Sequence, residues 1–306
     1  MPQDLSNATI LLVGPGRAGR AFARSWAEAG GSLVLAARDG DSARELAGVL
    51  AGARARPLDG GDSLSADILI LAVPDDAIAR LAARIAPRGA WRFAFHFSGA
   101  LESSVLAPLS SAGAKLGSLH PLRAFTGSPQ DDWNGAFVAV EGEPPAEDAA
   151  DEICRRIGAR PRRLPSARKP LYHLAATLAA GGSASLLSLA ARAWSDAGLE
   201  EEEGRAALAQ LAATAVEAVG RLPFEEALTG PVARRDVATI RLHRDAVAGR
   251  WDLASVYALL AKETLRRTPG RGREREISAL LGFAEEDGAA KPEGTGKKPD
   301  TRGPRG

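Results

Sequence analysis

Short aliphatic runs alternate with helical periodicity through the first half of the chain. The runs 8–14 (ATILLVG), 32–37 (SLVLAA), 54–58, 67–73 (DILILAV) and 92–97 (RFAFHF) are mostly apolar, several almost without interruption. Such strands are covered on both faces, as in a parallel sheet sandwiched by helices. Between them, 17–29, 41–51 and 76–86 read as helices, and runs at 116–119 and 136–140 extend the sheet. The pattern predicts an α/β fold built on a doubly wound, mostly parallel Rossmann sheet. Residues 141–148 (EGEPPAED) break the pattern, after which 151–158 reads as a helix and 159–164 as a last edge strand.

Beyond residue 165 the character changes. Helical periodicity runs through 170–197, 204–222, 232–248 and 252–267. In the second of these, Leu208, Leu211, Ala215, Val219 and Leu222 mark one apolar face. Asp252 is expected to cap the last helix. This reading gives a nucleotide-binding domain over 1–165, an all-α domain over 166–284 and a tail over 285–306. The tail is Gly, Pro, Lys and Glu with almost nothing apolar, and is expected to be disordered because burial cannot offset its ordering entropy. So many apolar helix faces ask for cover, and a homodimer through the helical domain would supply part of it.

Composition narrows the classes of function. Of 306 residues, 39 are Lys or Arg and 38 Asp or Glu, so no basic excess drives binding to nucleic acid. A single cysteine, Cys154, excludes an internal disulfide and a cysteine-cluster metal site, and no metal is expected. The N-terminus lacks a basic segment followed by an apolar one, and no run is read as approaching the ~18 apolar residues of a membrane span. The expectation is a cytoplasmic protein acting on a small molecule, without membrane or nucleic-acid partners.

Residues Gly14-Pro15-Gly16-Arg17-Ala18-Gly19 match G-x-G-x-x-G, follow the first strand and open a helix. In that context the first glycine permits the turn, the second lets a pyrophosphate approach and the third packs helix on strand. The second strand ends in Ala37-Arg38-Asp39. Arg38 offers a guanidinium to a ribose 2′-phosphate, while Asp39 is read as a turn or capping residue before Ser42, so the cofactor expected is NADP(H). Val73, Pro74 and Asp75 end the DILILAV strand on the carboxyl edge of the sheet, where ligands bind.

Four polar segments could meet a nicotinamide, and they hold all four histidines of the chain. The first is Phe95–Ala100 with His96, Ser98 and Gly99. The second is Ser118–Phe125 with His120 and Arg123. The third is Lys169–His173. The fourth begins at Leu228-Thr229-Gly230-Pro231 and continues to His243. Lys169 and His173 share a helix face, and histidine suits proton transfer near neutrality. Lys169 is expected as proton donor, assisted by His173 or His120, with Ser98 orienting the substrate. His96, Gly99, Arg123, Thr229 and Gly230 are expected to line the substrate site. His96 between two phenylalanines also fits a satisfied core imidazole, and His243 fits helix packing or a dimer contact.

At GPGRAG, AVPD, HFSGA, LHPLRAF, KPLYHLAA and ALTGPVARRD, in that order, the sequence resembles proteins with a Rossmann-like domain followed by a DUF2520 domain. They are distant members of the 6-phosphogluconate dehydrogenase-like group, which includes ketopantoate reductase, pyrroline-5-carboxylate reductase and prephenate dehydrogenase. The resemblance implies NADP binding in front and a helical, often dimerising domain behind. It also implies a Lys-x-x-x-Asn pair on the first long helix, with Lys as proton donor. Here Lys169 matches and His173 stands in place of Asn. Gly181 stands where the nearer relatives carry Asn, and Arg235 where they carry Gly. The implied activity is NADPH-dependent reduction of a small keto acid or imine, of ketopantoate-reductase type. The alternatives are a prephenate- or arogenate-type dehydrogenase, and an NADP-binding regulatory module without turnover.

Overall fold

A computed structural model describes residues 4–59 and 62–282. The expectation for the tail, 285–306, falls outside these residues. Two compact units divide the chain, Met1–Ser183 and Ala184–Gly306.

The first unit is an eight-stranded sheet in the order β3-β2-β1-β4-β5-β6-β7-β8. Its elements are β1 (Thr9–Val13), α1 (Arg17–Glu28), β2 (Ser32–Ala37), α2 (Gly40–Val49), β3 (Ala53–Pro57), β4 (Ile68–Leu71), α3 (Asp75–Ile85), β5 (Phe93–His96), β6 (Lys115–Pro121), β7 (Phe137–Gly142), α4 (Pro144–Arg156), β8 (Arg160–Arg163) and α5 (Lys169–Thr177). Only β6 and β7 pair antiparallel; every other neighbouring pair is parallel. Both faces are buried, as the uninterrupted apolar runs require. Ile10, Leu12, Leu33, Leu35, Ile68 and Ile70 enter one core, and the alternating Leu11, Val13, Ala36, Leu69 and Leu71 enter the other. The expected α/β class and doubly wound sheet are the fold observed.

One local expectation needs correction, and one element lies beyond the sequence pattern. Residues 141–148 do not break the pattern: β7 runs to Gly142, and α4 begins at Pro144, with prolines in its first turn. Proline is suited to that position because the first-turn N–H has no intrahelical partner in any case. A helical stretch of 3₁₀ type, Ser103–Ala112, was also not anticipated.

The loop between β6 and β7 is pinned onto α1. The Trp133 backbone N–H donates to Ser25 Oγ at 2.9 Å, and its ring packs 4.8 Å from Phe97 and 5.2 Å from Phe22. That aromatic core fixes the segment leaving β5, which carries Ser98.

The second unit holds α6 (Ser183–Asp196), α7 (Glu201–Arg221), α8 (Phe224–Ala227), α9 (Pro231–Arg234), α10 (Val237–Ala246), α11 (Trp251–Arg267) and α12 (Glu274–Leu280). Its core is small: Val232, Val237, Ile240, Ala261, Leu265 and Ile277. The helix expected over 232–248 is divided because Arg235 sits in the left-handed region at φ 59°. The segment expected as one helix from 170 is interrupted by a π turn over Leu178–Gly182. Asp252 lies inside the first turn of α11, whose cap is Arg250, and pairs with Arg192.

Along α7 only Gly204 is buried, although Leu211, Val216 and Val219 are apolar. Within the run Ser166–Asp196 an 18-residue window has a mean hydropathy of 1.5, so this helix is long and apolar enough, by length and composition, to cross a membrane. This corrects the expectation that no run approaches that limit. Leucines and alanines carry the average here, interrupted by Gly and Ser, without forming an unbroken aliphatic block.

Candidate active site

The GPGRAG turn forms a backbone cradle. Gly14 has φ +93°, and a Cβ there would lie 2.6 Å from the Ala72 carbonyl oxygen; one at Gly19 would lie 2.5 Å from the Gly14 oxygen. Neither position accepts a side chain. A Cβ at Gly16 would meet nothing within 4 Å, so this point of the turn faces open space. The start of α1 has no side-chain cap and no acidic residue in its first turn, which leaves its amides to an external anion. These features fit the pyrophosphate of a dinucleotide. Beside the cradle lies a groove of about 530 Å³ lined by Val13, Arg38, Val73 and Pro74. Asp39 caps α2, its carboxylate accepting the Asp41 N–H at 3.0 Å, which is the capping role read from the sequence.

A second cavity in this unit, of about 600 Å³, is lined by His120, Pro121, Leu122, Arg123, Tyr172, His173 and the alanine-rich wall that ends at Gly181. His120 is near the carboxyl end of β6. Its Nδ1 lies 2.9 Å from the Tyr172 hydroxyl, and its ring centroid is 5.8 Å from that of His173. Both imidazoles press on Gly99, where a Cβ would lie 2.7 Å from His120 Nε2 and 2.6 Å from His173 Cδ2. Burial, followed by the charges of His173 and Lys169, lowers His120 to about 4. Burial raises Tyr172 to about 12. Near neutrality the pair is therefore an uncharged imidazole beside a protonated phenol. A Cβ at Gly181 would meet nothing within 4 Å, so its lack of a side chain leaves space open on the cavity wall.

The other expected site residues of this unit lie beneath or beside that surface. Lys169 is 2 % exposed; its Nζ donates to Ser118 Oγ at 2.6 Å and to the Ser98 carbonyl at 3.2 Å, and it pairs with Glu141 at 3.5 Å. Glu141 is equally buried and accepts from the Ser103 N–H and hydroxyl, Ser118 Oγ and Ser166 Oγ at 2.8–3.0 Å. Ser118 and Glu141 face each other across the β6–β7 pair. Burial pushes the Glu141 carboxyl up, but the Ser103 hydroxyl, the Lys169 charge and Ser166 outweigh it and hold it below the usual range. Burial pulls Lys169 below the usual ammonium value, against the attraction of Glu141.

Ser98 is also committed. Its hydroxyl donates to Asp75 at 2.7 Å and accepts from the Ala100 and Leu101 amides, closing the turn after β5. Thus Asp75, expected at the cofactor, and Ser98, expected at the substrate, are brought together. His96 is fully buried: its Nδ1 accepts the Ser98 N–H at 3.1 Å, so its Nε2 carries the proton offered to the Glu102 carbonyl at 3.2 Å. This is the core imidazole foreseen between the phenylalanines. Arg123 reaches the cavity but is tied to Asp132 at 3.0 Å and to the Asn134 carbonyl at 2.9 Å. Thr229 and Gly230 belong to the second unit and lead into α9, with Gly230 at φ +94°. From the sequence, Ser118 and Tyr172 fall in candidate segments without a role for either, and Glu141 and Ser166 lie outside them. A glutamate inside the buried run FVAVEG was the available signal for Glu141.

The comparisons with known proteins agree with this architecture. Residues 9–92 match the family described as NADP oxidoreductase coenzyme F420-dependent, and 136–264 match the domain of unknown function DUF2520. The two matches fall in the order that the six motifs implied. No curated protein matches it. Among solved structures, a protein from Thermotoga maritima is similar with a TM-score of 0.69 and 23% identity, covering 85% of this chain and 98% of that one. A Bacteroides fragilis protein, provisionally described as an NADP oxidoreductase, has a TM-score of 0.68 and 22% identity over 86% and 100% of the two chains. A reductive aminase from Aspergillus terreus, solved with NADPH and ethyl levulinate, has a TM-score of 0.57 and 15% identity over 90% and 99%. At these identities the likeness is one of fold.

Proposed function

Given an NADP-oxidoreductase-type domain joined to a DUF2520 domain, we propose that the chain is an NADP(H)-dependent reductase of a small keto acid or imine. The observation that carries the reading is His120, whose Nε2 edge has no partner among the described residues and borders an open cavity at the sheet edge that also holds the glycine cradle. Bound in the cradle, the cofactor would supply hydride. His120, with Tyr172 donating to Nδ1, would hold its proton on Nε2 and offer it to the oxygen or nitrogen where negative charge develops. A neutral imidazole acting as electrophile is an established solution to this problem.

Lys169, first expected as the donor, takes a positioning role in this proposal. Its N–H bonds point at Ser98, Ser118 and Glu141, and it fixes the turn on which Gly99 meets both histidines. Arg123 is already paired, and the alanine-rich wall suits a compact substrate with an apolar body better than a dicarboxylate such as prephenate.

The test is NADPH oxidation by the full chain against a panel of small keto acids, ketones and cyclic imines. Turnover of at least one is expected, falling about 100-fold in His120→Ala, the usual scale of a lost general acid. Turnover in that variant within a few-fold of the parent would overturn the assignment to His120. Nucleotide binding without consumption across the panel would instead favour the regulatory module.

The bare α7 surface is the ground for a second proposal, that another copy of this chain covers it. Leu211 and Val216 are each about two-thirds exposed on a helix too apolar to face water alone. Sedimentation at micromolar concentration should give a dimer, and Val216→Lys a monomer. A parent chain that sediments as a monomer sinks this proposal and leaves the catalytic one standing.

A further inference from the structure

The groove beside the cradle carries charge in an uneven way. Its floor is apolar, with Val13, Leu58, Val73 and Leu81, while its rim carries Arg38, Arg80 and Arg84 against one acid, Asp39. Asp39 spends its carboxylate on the start of α2, and Arg84 is paired with Asp59 at 3.1 Å. Arg38 and Arg80 make no ion pair or side-chain hydrogen bond among the described residues. Ala77, Arg80, Leu81 and Arg84 recur at three and four residues along α3, so one face of the helix forms the wall. The apolar members build the surface and the arginines edge it. Two free guanidiniums on one concavity repel each other unless an anion sits between them.

We infer that Arg80 is the second jaw of a guanidinium clamp for a phosphate monoester on the adenosine ribose of the bound dinucleotide, facing Arg38 from the end of β2. The inference rests on the dinucleotide reading above and deepens it, because it names a residue on α3 that motif reading does not reach. The start of α3 cannot serve that phosphate itself, since Asp75 and Asp76 occupy its first turn. The side chains one and two turns further along supply the charge. The planar guanidinium fork suits the tetrahedral oxygens, and the apolar floor suits an adenine ring.

Calorimetric titration of the full chain with NADP, NAD and adenosine 2′,5′-bisphosphate tests the clamp without any turnover. The parent should bind NADP and the bisphosphate and prefer NADP to NAD. Arg80→Ala and Arg38→Ala should each weaken both 2′-phosphorylated ligands about tenfold, the scale of one charge-assisted hydrogen bond. NAD binding should change less than twofold. Arg80→Lys should recover part of the loss, since the charge returns without the fork, and Arg84→Ala should lose less than Arg80→Ala. NADP binding by Arg80→Ala within twofold of the parent overturns the clamp, as does an equal loss for NAD, which would place Arg80 at the adenine or the fold. A parent chain that binds none of the three ligands defeats the dinucleotide reading itself, an outcome separate from either result for Arg80.

Discussion

Among the described residues, each unit buries one cation beside one carboxylate, and the two are built differently. Arg235 in the second unit uses its guanidinium on the carbonyls of Val232, Ala233, Thr268 and Gly272, the Thr268 hydroxyl and Glu274. Lys169 in the first unit has two hydrogen bonds, to Ser98 and Ser118, and a longer ion pair to Glu141 at 3.5 Å. One cation ties three chain segments together with bonds mostly to backbone. The other lies directly behind a cavity wall that carries two imidazoles. The difference teaches what separates a staple from a poised group. A guanidinium in proteins keeps its proton, whereas an ammonium in a dry site can release one.

The larger effect is expected at the staple. Arg235→Ala takes the donor from the Thr268 and Gly272 carbonyls, unpairs Glu274 and leaves a non-glycine residue at φ 59°, so unfolding of the second unit should be easier by about 3–5 kcal/mol. Arg235→Gly should recover about 1 kcal/mol of that, because glycine adopts the left-handed conformation without steric cost. Urea unfolding followed through Trp194 and Trp251 would report both. A loss under 1 kcal/mol for the alanine variant would mean that the bonds of Arg235 contribute little, and the contrast with Lys169 would fail. A loss of the expected size would instead mean that Arg235 offsets with its hydrogen bonds the strain that a glycine at this position avoids.

The same contrast explains what could be read from the sequence. The sheet and the GPGRAG turn are local facts: strand runs show their own burial, and glycine requirements at Gly14 and Gly19 follow from close approach within one βα unit and its neighbour. Asp39 as a cap was equally local. The Lys169 site was not. Its partners lie 71, 51 and 28 residues away at Ser98, Ser118 and Glu141, and only the β6–β7 register brings Ser118 opposite Glu141. Nothing in the periodicity of KPLYHLAA distinguishes a lysine that enters a buried pair from one that stays in water. The histidines drew attention by residue type, but periodicity could not separate His96, sealed in the core, from His120, which borders space. Arg235 was visible as a departure from the resembling family, yet its role depends on Thr268 and Glu274, more than thirty residues further on.

The smaller effect is the more discriminating one, because it depends on pH. Glu141→Gln removes the counter-charge of Lys169 while keeping a side chain of the same shape among Ser103, Ser118 and Ser166. Asp75 and Glu102 still attract the ammonium, and His96 and His120 are neutral above their values of about 4. With burial less opposed, the folded-state pKa of Lys169 falls further below its ordinary value of 10.5. A base lowered in this way binds fewer protons folded than unfolded, so the folded state gains stability as pH rises from the folded pKa towards 10.5. The variant enters that window at lower pH than the parent. Its deficit, about 1–3 kcal/mol at pH 6.5, should therefore shrink as the pH is raised to 9, whereas that of Arg235→Ala should stay level. The comparison is confined above pH 6.5 because His96 and His120, both lowered to about 4, contribute stability above 6.5 that is lost as pH falls towards 4. Below 4.5 the parent also loses the contribution of Glu141, whose lowered pKa stabilises the fold only while the carboxylate is ionised. Urea midpoints at half-unit steps from pH 6.5 to 9 would separate the two slopes. A deficit for Glu141→Gln as flat as that of Arg235→Ala would show that Lys169 keeps its proton without its partner, and that both buried cations are staples.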